Sequence, residues 1–309
     1  LNPKTPEETT MNCSLSLSRP ARLLLLPACA ALLVACGGGG GGGGAANQPP
    51  VAAAVLKGEA VLQATTLFDT AGTADADGSI ASRSWDYGDG TAGTTDSHLY
   101  TRTGTFQAVY TVTDDAGATA SKGVQVSVAK CSAAGSEASR LSPNQTVCIQ
   151  TTLGELVMEM FATEAPATTA NFLLYVNEGF YSGTVIHRAT GLVFEAGGFT
   201  SGLQAKAATH APVALESNNG LKNWQFTVAM ARDAAPNSAT TRFYVNLVDN
   251  HQFDFNPAIA PPNGNAVFGQ LISGTSVADA IGTAATVTSG GMANVPAAEI
   301  GIRSAVTLK

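Results

Sequence analysis

Eight consecutive glycines, at positions 37–44, constrain this chain of 309 residues more than any other feature. Glycine has no side chain to pack and loses the most backbone freedom on ordering, so such a run sustains neither a helix nor a strand. It divides the chain into a leader and a body, and residues 36–46 read as a flexible linker reaching about 20 Å. The leader has the layout of a targeting signal: basic Arg19 and Arg22, an apolar stretch from Leu23 to Ala35, then Cys36. The alternative is an uncleaved helical anchor, which a cysteine followed by glycines would continue poorly. No other apolar run approaches the roughly 18 residues of a spanning helix, so the body is expected to be water-soluble.

The end of the leader, Leu33-Val34-Ala35-Cys36, resembles the lipobox of bacterial lipoproteins. That resemblance implies a signal peptide at 1–35, cleavage before Cys36 and a diacylglycerol on its sulfur. The protein is then exported and lipid-anchored, on the periplasmic face or the cell surface, and meets the membrane through that anchor. Gly37 stands where an aspartate would resemble the inner-membrane retention signal, which favours the outer membrane. With Cys13 and Cys29 in the leader and Cys36 acylated, Cys131 and Cys148 remain, as one disulfide or as two buried thiols. In an oxidising compartment a disulfide closing that loop stabilises by about 3 kcal/mol. The net charge of −7, from 16 basic and 23 acidic residues, repels phosphate backbones and gives no reason to expect nucleic acid binding.

With 45% hydrophobic and 13% charged residues, the body can bury two ordinary cores. Residues 47–129 alternate with period two between Gly and Asp turn clusters, an all-β pattern. Phe106, Ala108, Tyr110 and Val112 would share one face, and Val124, Val126 and Val128 repeat the period. The run Ser84-Trp85-Asp86-Tyr87-Gly88-Asp89-Gly90-Thr91 resembles the signature of polycystic-kidney-disease (PKD) domains. Asn47-Gln48-Pro49-Pro50-Val51 before it and Val112-Thr113-Asp114-Asp115-Ala116-Gly117 after it extend the resemblance, which implies an immunoglobulin-like β-sandwich. Trp85 suits a core anchor, and Asp86, Asp89 and Gly90 suit a tight turn; a calcium loop would need a closing glutamate. Such a domain is a spacer or a weak adhesion module. Residues 130–145 read as a linker.

From residue 146 to 309 the texture becomes α+β. Thr151-Thr152-Leu153-Gly154-Glu155 reads as a hairpin turn, with Leu156, Met158 and Met160 facing inward. A helix follows, with Pro166 in its first turn, Phe172, Leu173 and Val176 on one face, and Gly179 as its stop. Near the C-terminus Ile302, Ser304, Val306 and Leu308 alternate. The motifs Asn171-Phe172, Gly179-Phe180-Tyr181, Ile186-His187-Arg188, Gly197-Gly198-Phe199, Val228-Ala229-Met230-Ala231-Arg232, Phe243-Tyr244-Val245-Asn246-Leu247 and Ala266-Val267-Phe268-Gly269 resemble, in that order, a bacterial cyclophilin.

The resemblance implies a mainly β molecule in which the sandwich precedes a closed eight-stranded β-barrel with two helices, and it implies peptidyl-prolyl cis-trans isomerase activity. Rotation about an X-Pro amide calls for no nucleophile, metal or cofactor. It needs a fixed cationic donor for the prolyl nitrogen as the bond twists. Arg188 matches the family's catalytic arginine. Leu192, Val193, Met230, Tyr244 and Phe253 match its proline pocket, and Ala231 matches a position whose backbone pairs with an extended peptide.

The departures fall on the site. Glu195 and Arg242 stand where the family has two glutamines, Gln252 replaces a pocket aromatic and Asn265 a histidine, and the interval from Arg188 to Glu195 is one residue short. Glu195 and Arg242 are therefore expected to bind substrate as a mutually compensating ion pair, and Glu195 can also hold Arg188. His187 reads as structural, and His98, His210 and His251 show no metal spacing. The expected partners are proline-containing segments of exported proteins, met by a monomer. The rival reading is a catalytically weak peptide-binding or adhesion lipoprotein.

Overall fold

In the computed structural model, which describes residues 46–260 and 262–309, strict alternation lays out the N-terminal region as two facing sheets. The signal at 1–35, the glycine run and the lipidation site Cys36 lie outside the described residues. The strands are β1 (Val55–Lys57), β2 (Ala60–Val61), β3 (Thr65–Asp69), β4 (Ile80–Asp86), β5 (Ala92–Gly93), β6 (Ser97–Leu99), β7 (Gly104–Asp114) and β8 (Thr119–Ala129). One sheet is ordered β1-β3-β6 and the other β2-β8-β7-β4-β5, antiparallel except where β2 meets β8. Phe106, Ala108, Tyr110 and Val112 of β7 are all buried, as the period requires. Trp85 sits between Phe68 and Tyr110, with ring centroids 4.3 and 4.9 Å away, and its indole N–H donates to Asp96. The turn after β4 is built as expected: Gly88 and Gly90 take φ of 77° and 96°, Asp86 accepts from the Gly88 N–H and Asp89 from that of Thr91.

The segment read as a linker contains a helix, α1 (Ala133–Leu141), whose N-cap Ser132 accepts from the Gly135 N–H. Its cap and first turn are anchored from afar, because Glu155 accepts from the N–H and hydroxyl of Ser132 and Glu59 from the Ala133 N–H. Just ahead of it Cys131 is disulfide-bonded to Cys148, with Cα atoms 6.1 Å apart. Among the described residues no helix is long and apolar enough to cross a membrane.

The remaining strands are β9 (Thr146–Thr151), β10 (Gly154–Met160), β11 (Thr184–Val185), β12 (Arg188–Ala189), β13 (Val193–Ala196), β14 (Phe199–Thr200), β15 (Gln204–Ala205), β16 (Thr227–Met230), β17 (Phe243–Asn246), β18 (Val267–Ser273), β19 (Thr286–Ser289), β20 (Met292–Pro296) and β21 (Gly301–Thr307). All but the β19–β20 hairpin join one curled sheet, ordered β12-β13-β17-β16-β18-β10-β9-β21-β11-β14-β15. Its ladder is open, with β12 and β15 at its ends, where a closed eight-stranded barrel was expected. Two helices, α2 (Pro166–Asn177) and α3 (Thr275–Gly282), accompany it, so with α1 the described residues hold three.

Inside the curl, Phe172 of α2 meets Tyr181, Phe243 and Phe268 at centroid distances of 5.1, 5.4 and 5.1 Å. Leu156, Met158 and Met160 join this core, whereas Val157 points the other way, to the disulfide. Pro166 opens α2, the N–H groups of Ala167 and Thr168 donate to Glu216, and Gly179 at φ 69° ends the turn that follows. The alternation expected in β21 is broken by an irregularity between Ile302 and Ser304. As a result Ile302 and Ala305 face the core, while Val306 and Leu308 pack with the disulfide outside.

Candidate active site

Period two also decides what the outer face of the sheet presents. On β13, β16 and β17 the inward residues are Phe194, Ala196, Val228, Met230, Phe243 and Val245, so Val193, Glu195, Ala229 and Tyr244 must face out. Register brings them together. Arg188 lies opposite Glu195, Glu195 opposite Tyr244, and Tyr244 opposite Ala229, one row across four strands. The turn from β12 to β13 is tight, with the Thr190 hydroxyl accepting from the N–H groups of Leu192 and Val193. It absorbs the missing residue and still leaves Glu195 beside Arg188.

An open hollow of about 340 Å³ lies along this row, lined by Arg188, Val193, Glu195, Ala231, Tyr244 and Phe253, with Arg232, Arg242 and Asn265 also on its walls. Phe253 stands edge-on to Tyr244, centroids 5.6 Å apart. The Tyr244 hydroxyl donates to Asn223, whose own amide and N–H donate to Asp254, and Asn246 donates to Asn223 as well. That network fixes the floor. Burial first, then the charges of Glu195 and Asp254, push the Tyr244 phenol well above its ordinary range, so it stays a hydrogen-bond donor.

The charged groups are arranged differently from the sequence expectation. Glu195 does not meet Arg242. Its Oε1 accepts from Arg188 Nη1 at 2.5 Å, and its Oε2 lies 3.6 Å from Nε2 of buried His187. Arg242 turns away to Asp233, at 2.5 Å. Gly198 permits this, since a Cβ there would stand 2.8 Å from both Cγ and Cδ of Arg242. The compensating pair is therefore replaced by two separate pairs. Burial alone would raise the Glu195 carboxyl, but the hydrogen bond and charge of Arg188, with the His187 ring alongside, outweigh it and hold the group below its ordinary value. Arg188 remains 43% exposed and able to reach a ligand.

Two expected pocket residues are not on the hollow. Met230 is buried in the inner core because it is one residue out of phase with Ala229 and Ala231. Leu192 occupies the tight turn and is 48% exposed. Val193, Glu195, Ala231, Arg242, Tyr244 and Phe253 do line the hollow, with the Ala231 N–H donating to the Arg242 carbonyl. Gln252 caps its own loop through Asn250, and Asn265 donates to the Met230 carbonyl. Arg232, held by the Gly264 carbonyl, was missed; its only sequence signal was its place directly after Ala231.

Residues 146–307 match the family model described as cyclophilin type peptidyl-prolyl cis-trans isomerase, and residues 47–128 match a PKD domain model. Peptidyl-prolyl cis-trans isomerase B of Escherichia coli is 42% identical over 51% of this chain and 96% of its own length. A peptidyl-prolyl cis-trans isomerase of Streptomyces antibioticus is also 42% identical, over 53% of this chain and 98% of its own. A solved cyclophilin type isomerase of Cryptosporidium parvum, in the presence of the dipeptide Ala-Pro, is 23% identical with a TM-score of 0.45, covering 52% of this chain and 98% of that one.

Proposed function

This chain belongs to the cyclophilin-type peptidyl-prolyl cis-trans isomerase family and is such an isomerase; from that premise we propose that Arg188 is its catalytic residue and that the hollow beside it takes the proline ring. The observation that carries the assignment is an exposed guanidinium on the rim of a hollow walled by Val193, Ala231, Tyr244 and Phe253. The reaction turns the amide before proline through a barrier of about 18–20 kcal/mol set by resonance. As the bond twists, the prolyl nitrogen recovers a lone pair that Arg188 can hydrogen-bond, an interaction absent from the planar ground state. A guanidinium keeps its proton at any working pH, and one charge-assisted bond contributes about 1.5–3 kcal/mol. Glu195 orients Arg188 while tempering its charge. That pairing is also what favours the second reading, a peptide-binding lipoprotein of weak turnover. The test is the cis-to-trans relaxation of a proline tetrapeptide: acceleration by the wild type that disappears in Arg188→Ala supports the assignment, and equal acceleration by both sinks it.

The remaining proposals are architectural and cellular. The chain runs unbroken from β11 through Ile186 and His187 to β12, with Ile186 N–H donating to Ile300 and His187 N–H to Glu195. That continuity supports counting 184–189 as one bent strand and the sheet as a closed eight-stranded barrel. The domains are a PKD-like sandwich at 47–129 and the isomerase domain at 146–309, monomeric and acting on extended proline-containing segments of exported proteins. A disulfide at Cys131–Cys148 suits an oxidising compartment and so supports export. Acylation at Cys36 then tethers the protein to the outer membrane, with the sandwich as a spacer. Labelled palmitate should enter the wild type and not Cys36→Ser; label in both, or label found only with the inner membrane, removes this placement.

A further inference from the structure

A second hollow, of about 350 Å³, adjoins the first. The two share Arg188, Glu195 and Arg242, which form the ridge between them. The far side of the second hollow is made by the hairpin of β19 and β20, which turns through Gly290 and Gly291, both at positive φ, and lies against β12. Met292 and Asn294 of that hairpin form one wall, and the ring of Phe199 forms another. Asn294 has φ 61°, in the left-handed region that asparagine tolerates better than most side chains.

The floor carries an unmet demand. His187 is 4% exposed, its ring stands 4.7 Å from that of Phe199, and its Nδ1 has no hydrogen-bond partner. The Glu195 carboxylate, an acceptor, faces Nε2, so in the neutral ring the proton belongs on Nε2 and Nδ1 is a bare acceptor. A buried acceptor without a donor is costly, and a ligand that supplies one recovers that cost. Phe199 and Met292 give the same hollow an apolar lining, and Asn294 and Arg242 give it a polar one.

We propose that this hollow is a second subsite for the substrate chain, taking a neutral side chain with an apolar stem and a hydrogen-bond donor at its tip, glutamine foremost, from a residue flanking the proline. The proposal rests on the assignment of Arg188 and the first hollow to the prolyl bond. A chain with its proline there that leaves over the Arg188–Glu195–Arg242 ridge brings a flanking side chain over the second hollow. A glutamine amide would donate to His187 Nδ1 and accept from Arg242 or Asn294. A glutamate offers no donor, and a lysine would meet two arginines.

The experiment compares kcat/KM of the full chain for tetrapeptides carrying Gln, Glu, Lys, Leu or Ala at each position flanking proline. At one position Gln should exceed Ala about fivefold, the yield of one net neutral hydrogen bond, and the Gln-to-Ala ratio should fall towards one in Asn294→Gly and Met292→Ala. Glycine accepts positive φ without strain, so the first variant keeps the hairpin. In parallel, the 13C-methyl resonance of Met292, identified by its loss in Met292→Ala, should shift with the Gln peptide and stay put with the Ala peptide. A ratio near one at every position in the wild type, or an unmoved Met292 methyl at saturating Gln peptide, overturns the subsite. Absence of any acceleration with the Met292 methyl still responding to Gln would instead sink the assignment of Arg188 and leave the second hollow standing.

Discussion

The sandwich and the curled sheet differ in their use of carboxylates: the sandwich closes turns with several of them, although Asp96, Asp114 and Asp115 also bind distant segments. In the sandwich, Asp86 and Asp89 accept from N–H groups two residues downstream, and Asp114 from those of Ala116 and Ala118. In the curled sheet, Glu216 receives the first N–H groups of α2 from 48 and 49 residues away, Glu155 holds Ser132 from 23 away, and Glu195 faces Arg188 across a strand pair. A carboxylate that bonds only its own turn, as Asp86 does, shapes that turn and little else. One spent on a distant segment fixes the relative position of elements, and the catalytic geometry depends on such positions.

The sharpest break in that comparison is expected at Arg188. Arg188→Ala should lower kcat/KM by roughly 10- to 150-fold, the equivalent of one charge-assisted bond, while the urea midpoint stays within error; an equal loss of both would make Arg188 a structural residue. Next comes Glu216→Ala, which strips three donors of α2 of their acceptor and should cost about 2 kcal/mol in chemical denaturation. A smaller effect, of opposite sign, is expected for Glu195→Gln: relieved of its counter-charge, Arg188 should gain about threefold in kcat/KM, of the order of a partly exposed ion pair. Because the Glu195 carboxyl is held below its ordinary value of 4.5, the ion pair and its stabilisation are complete above that value and are lost as pH falls through the lowered one. The wild type and Glu195→Gln should therefore converge in stability on acidification; parallel pH curves would refute the pairing. Smallest is Asp86→Ala, which should cost less than about 1 kcal/mol and leave turnover unchanged.

The same division explains what the sequence made legible. Local chemistry could be read directly: the Asp-Gly turn after β4, Pro166 at the start of α2, Gly179 beyond its end, and the inward set Leu156, Met158 and Met160. Where the controlling contact was distant, the reading failed. The short helix α1 has a neutral, Ala- and Ser-rich face and is held by Glu155, Glu59 and the disulfide, so no period within 130–145 marked it. The partner of Arg242 was misjudged because Asp233 lies across a loop and Gly198 opens the way to it. Met230 was placed on the site by motif position, although the phase of β16 with respect to Ala229 and Ala231 sends it to the core. The second hollow depends on a hairpin nearly a hundred residues beyond Phe199, and no spacing in the sequence joins them.

The bond from Cys131 to Cys148 also sets the route of mechanical load. Tension arriving from the sandwich reaches the sulfur of Cys131 before it reaches α1, and passes at once into β9, flanked on both sides by β10 and β21. The intervening stretch, a sequence separation of 17, is excluded from the force-bearing path. Roughly 60 Å of contour length therefore stays out of any extension, and along the covalent chain α1 is loaded from the N-terminal side only once the bond is reduced.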